Sequence, residues 1–167
     1  MPELEIPSWL ISFFTTLLAA FFGYLIAVKK FKKERLWQEK YEAYQDILSA
    51  LEAMTLWANE TYCSNKLIPT KGTRLAKNDP WLAFSEARRT IAKSACIGRL
   101  LLPKPVIDEL VALESDLWNE NFRAEEEQYH PHTHEESEAI AQHAQNVENI
   151  VKPRLGVIIE YARNDLK

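Results

Sequence analysis

Residues 9–28 read WLISFFTTLLAAFFGYLIAV, twenty positions without a charged side chain, and KKFKKER follows at 29–35. Twenty helical residues rise about 30 Å, the thickness of a bilayer's hydrocarbon core. Eleven of the twenty are Leu, Ile, Phe or Val, each favouring insertion by about 0.3–0.6 kcal/mol at mid-membrane. The hydroxyls of Ser12, Thr15 and Thr16 can bond back to the helix, and Trp9 and Tyr24 lie where amphipathic rings prefer the headgroup level. The stretch therefore predicts a transmembrane helix over 9–28.

Orientation follows from the basic residues. Lys29, Lys30, Lys32, Lys33 and Arg35 all come after the apolar stretch, whereas residues 1–8 carry Glu3 and Glu5 and no cation. By the positive-inside rule, 1–8 is a short extracytoplasmic N-terminus and 29–167 is cytoplasmic, giving a single-pass membrane protein. A cleaved signal peptide would need a basic leading region, a shorter apolar core and small residues at a cleavage site. None is present, so the anchor is expected to remain. The basic collar also suits anionic lipid headgroups, and the small face Ser12, Thr16, Ala19, Gly23 and Ala27 suits close approach of a second copy in lipid.

Beyond the collar the chain is acidic, bringing the whole to a net −4. Such a body argues against a broad nucleic-acid surface. Its two cysteines, Cys63 and Cys96, have no paired spacing, and on the cytoplasmic side they are expected reduced and packed as small apolar groups.

The 139 residues left suit one modest core. From Lys29 to Asn65 there is no Gly or Pro, and Trp37, Tyr41, Tyr44, Leu48, Leu51, Thr55, Ala58 and Tyr62 recur in alternating steps of four and three, a seam that Ile47 and Met54 widen. Residues 66–79 form a loop. Asp79 can cap a helix whose first residue is Pro80, with Trp81, Phe84, Ala87, Ile91, Ala95, Gly98 and Leu102 on one face. Pro103 and Pro105 separate it from a helix with the core stripe Val106, Leu110, Leu113 and Leu117, flanked by Ile107 and Trp118 and ending near Phe122. Thr133 and Glu136 match a capping box. The last helix carries Ile140, Ala144, Val147, Val151, Leu155, Ile158 and Ala162, with Pro153 expected to kink it. The fold class predicted is all-α: a transmembrane helix continuing into a cytoplasmic antiparallel four-helix bundle.

Chemistry-bearing motifs are few. His130, His132 and His134 alternate in a turn rich in Glu and could converge on a transition metal, although a solvated turn is the plainer reading. Arg123 followed after six residues by His130 resembles the R-x(4–6)-H motif of HEPN ribonucleases, small helical enzymes that cleave RNA at a dimer interface. Ala124 stands where that family has a polar residue, and Glu125, Glu126 and Glu127 would repel phosphate. No glycine-rich phosphate loop, nucleophile elbow or paired metal cysteine motif occurs, and no cofactor is expected.

At whole-chain level, the single span, the basic stretch, Trp37-x-x-Lys40-x-x-x-Tyr44 and Ile97-Gly98-x-Leu100-Leu101 resemble a loose group of uncharacterised bacterial single-span proteins with helical bundles. Some of these are similar to effectors of anti-phage defence. The resemblance implies a non-enzymatic module of the bacterial inner membrane that self-associates, docks a cytosolic protein partner and perturbs the membrane; a membrane-tethered ribonuclease or metal-binding enzyme is the alternative.

Overall fold

Four helices account for nearly all of the described chain. A computed structural model describes the backbone of residues 8–68, 79–129 and 136–167; the side chains of 8–14 and 127–129 lie outside the described residues. The helices are α1 (Ser8–Asn65), α2 (Pro80–Ile97), α3 (Lys104–Tyr129) and α4 (Glu136–Asp165), with a short 3-10 turn at Gly98–Leu100. No strand occurs among the described residues.

Local chemistry sets the ends. Asp79 accepts a hydrogen bond from the Trp81 amide at 3.0 Å, and Pro80 occupies the first helical position. Pro103 leads into α3, its carbonyl accepting from Val106 at 3.0 Å. At the end of α1 the amide of Ile68 donates to Cys63 and that of Leu67 to Ser64, a Schellman pattern that puts Leu67 at φ 55°. That left-handed position favours glycine, and no residue signal in the sequence marks it. The last helix runs on through Pro153, and Thr133 of the expected capping box lies outside the described residues.

The chain divides into two units, Met1–Glu39 and Lys40–Lys167. Within the first, every described apolar side chain from Leu17 to Ile26 is exposed, the larger ones between 39% and 67%. Among the described residues no helix is long and apolar enough to cross a membrane; the first six positions of the expected 9–28 span, 9–14, are among those whose side chains are not described.

The second unit is an antiparallel bundle, as its cross-helix pairs require. Lys40 near the middle of α1 meets Asp165 at the end of α4, whereas Trp57 farther along α1 meets His143 near the start of α4. Likewise Asp116 of α3 pairs with Arg154 of α4, and Glu120 with His143. Trp57 also stacks on Phe84 at the start of α2. The core is built from Tyr44, Ile47, Leu51, Met54 and Ala58 of α1, Phe84 and Ile91 of α2, Leu110, Leu113 and Leu117 of α3, and Val147, Val151 and Ile158 of α4. Each large apolar side chain removed from water contributes about 1.5–3 kcal/mol.

Five residues depart from the expected faces. Trp81, in the first turn of α2, is exposed, met on one side only by Trp57 and Phe84. Trp37 and Tyr41 are exposed, because apolar packing starts only at Tyr44, where α4 ends opposite in Asp165. Trp118 is exposed because the buried stripe of α3 steps from Leu117 to Glu120. Cys96, expected inside, is exposed, and both cysteines are free.

Candidate functional site

A carboxylate occupies a core position. Glu120 continues the Leu113–Leu117 spacing of α3 and is only 8% exposed. An ionised carboxylate there needs several donors. Arg123, one turn on, donates from Nη2 to Oε1 at 2.7 Å and from Nε to Oε2 at 3.1 Å. From α4, Asn146 Nδ2 donates to Oε1 at 3.1 Å, and His143 Nδ1 lies 3.1 Å from the same oxygen. Burial alone would raise the Glu120 pKa; the donors Arg123, Asn146 and His143 and the Arg123 charge outweigh it and hold it below the ordinary 4.5. An ionised Glu120 accepts only, so the hydrogen of His143 sits on Nδ1.

His143 also belongs to an aromatic cluster. Its ring meets Trp57 edge to face at 5.9 Å, Trp57 stacks on Phe84 at 4.1 Å, and Trp81 meets Trp57 at 6.1 Å. Beside this cluster is a cavity of about 570 Å³ lined by all four helices, Trp57 from α1, Trp81 and Arg88 from α2, Asn121 from α3, and Ile140 and His143 from α4 among them. Asn121 is the conspicuous polar group: its buried side-chain oxygen accepts no hydrogen bond among the described residues. A second groove, of about 530 Å³, runs between α1 and α2 over small residues such as Ala43, Ala50, Ala87 and Gly98.

At the opposite end of the bundle, Lys40 Nζ reaches both oxygens of Asp165 at 2.8 and 3.1 Å, and the Tyr44 hydroxyl donates to Asp165 at 3.2 Å. Burial first, and then the Asp165 charge, push the Tyr44 pKa well up, keeping this phenol neutral. The group ties α1 to α4.

The residues singled out by sequence are not brought together. Arg123 is engaged with Glu120, so it is tied to a buried carboxylate within its own chain rather than presented as an RNA-cleaving arginine, and His130 lies outside the described residues. His132 and His134 lie outside them too, and among the described residues no group of three or more His, Cys, Asp or Glu could hold a metal. Thr16, Ala19, Gly23 and Ala27 lie exposed along α1 in the first unit, while the Ser12 side chain is not among the described ones. Lys29, Lys30, Lys32, Lys33 and Arg35 are exposed there as well; Lys30 pairs with Glu34 at 3.8 Å and Arg35 with Glu39 at 2.9 Å.

What sequence reasoning missed is the Glu120, His143 and Asn146 group and the cavity beside it. A glutamate falling on the core spacing of α3 was the one available signal. No known protein family, curated protein or solved structure matches the chain.

Proposed function

We propose that this chain is a single-pass, membrane-anchored helical interaction module: residues 9–28 cross the inner membrane, the collar at 29–35 sits against anionic headgroups, and the bundle docks a cytosolic protein. The observation that carries this reading is the exposure of Leu17, Leu18, Phe21, Phe22, Leu25 and Ile26 over one half of a helix whose other half, with Ala19, Ala20, Gly23 and Ala27, is exposed and uncharged as well. A helix apolar on every side needs a lipid or protein cover. The cations that follow at once favour lipid.

Two further observations support association. Gly23 lies in a small-xxx-small series with Ala19 and Ala27, and a Cβ added there meets nothing within 4 Å. In the bundle, Trp118 and Phe122 stack at 5.6 Å with ring planes 12° apart, and both are exposed, as partner-binding aromatics are. Membrane perturbation by self-associated spans is the effector role consistent with these features.

Expression in bacteria tests the reading. Growth arrest that survives His130→Ala but disappears with Gly23→Ile, together with loss of cross-linked oligomers in Gly23→Ile membranes, is the expected pattern. Arrest abolished by His130→Ala and untouched by Gly23→Ile would instead favour the tethered-enzyme alternative.

A further inference from the structure

We propose that the four-helix cavity beside Trp57 and Trp81 binds a mononucleotide whose base carries an exocyclic amino group. The inference is independent of the membrane reading and rests on the cavity's size, walls and polar groups.

A volume of about 570 Å³ lies within the usual range for small-molecule sites. Its wall offers a stacking platform. Trp81 is 55% exposed, yet it is held by two other aromatics, Trp57 at 6.1 Å and Phe84 at 5.6 Å. An indole fixed in this way and left half open to solvent presents a flat apolar face at little ordering cost, which suits a heterocyclic base.

The anionic end of the ligand is located by Arg88. This arginine lines the large cavity and also an adjoining cleft of about 270 Å³ that contains Arg89. Neither arginine has an ion pair among the described residues, and a planar guanidinium suits bidentate contact with phosphate. Glu125 lines the large cavity and Glu114 the cleft, so one carboxylate opposes phosphate on each side, and the two guanidiniums meeting at the cleft outnumber the single Glu114 there.

Asn121 supplies the choice of base. It lines the cavity, and its oxygen, shut off from solvent and without a hydrogen-bond donor among the described residues, gains one when the side chain turns toward a bound base. The amino group of adenine or cytosine is such a donor, and the carbonyl that uracil carries at that place is not. His143, oriented through its bond to Glu120, lines the same cavity and leaves Nε2 as a second acceptor when neutral.

Titration calorimetry on the purified full-length protein with AMP, CMP, UMP, adenosine and inorganic phosphate tests this. AMP and CMP are expected to bind saturably below about 1 mM, with UMP, adenosine and phosphate each weaker by roughly tenfold or more. Arg88→Ala and Trp81→Ala are each expected to weaken AMP by roughly tenfold, while Trp81→Phe, which keeps a stacking face, stays within about threefold of the parent. Absence of saturable AMP and CMP binding to the parent protein overturns the proposal. So does binding that is unchanged in both alanine variants.

Discussion

Residues 15–28 and 44–58 belong to the same helix and are similarly rich in apolar side chains, yet they follow opposite rules. In the later stretch Tyr44, Ile47, Leu51, Met54 and Ala58 fall on one stripe and are buried by α2, α3 and α4, while Glu42, Asp46 and Glu52 are partly or wholly exposed. In the earlier stretch the apolar residues cover the whole circumference and are all exposed apart from half-buried Val28. Both stretches are helical; what differs is what must cover the side chains. The chain supplies the cover for its amphipathic stretch, and for the other the cover must come from outside.

The largest effect that can break this contrast is on partitioning. Leu18→Arg with Phe22→Arg places two cations in the apolar stretch at about 2.5–3.5 kcal/mol each. The double variant is expected to leave the membrane pellet while keeping the bundle's melting temperature; a variant still fully in the pellet would show that lipid is not the cover. Leu110→Ala asks the converse question. It opens a cavity at a fully buried site, costing about 2–5 kcal/mol by denaturant unfolding, with membrane retention unchanged.

Glu120→Gln sharpens the comparison inside the bundle, where one charge sits among apolar neighbours. It removes charge-assisted hydrogen bonds worth about 1.5–3 kcal/mol at neutral pH. Because the folded pKa is lowered from 4.5, the stabilisation is complete above that value and is lost as pH falls through the folded one. The gap between parent and variant in chemical denaturation should therefore close below about pH 4.5. The smallest effect is at the end of α1. Leu67→Gly relieves the left-handed backbone and should raise stability by about 0.5–1 kcal/mol; a loss would mean the Leu67 side chain contributes more than its exposure suggests.

Much of the fold was legible because helix signals are local. Asp79 with Pro80, the prolines around Lys104, and the stripes Phe84–Ala87–Ile91–Ala95 and Val106–Leu110–Leu113–Leu117 each act within a turn or two, and the structure keeps them. Trp37, Tyr41 and Trp81 depart from the stepping for a shared reason: it fixes a face but not where the neighbouring helices end, whereas Trp118 lies beside the stripe that runs from Leu117 to Glu120. The Glu120 group was illegible for a different reason. Arg123 is a local partner, but the others come from α4, and no local spacing says that His143 and Asn146 will face a glutamate more than twenty residues earlier. Single residues on α3 and α4 read as solvated until the packing joins them.

Alkaline carbonate and high-salt extraction of membranes from cells making the full-length chain is the most direct test of the external cover. The account predicts that the protein stays in the membrane pellet through both washes and is released only by detergent. Recovery of the intact chain in the carbonate or salt supernatant would contradict it.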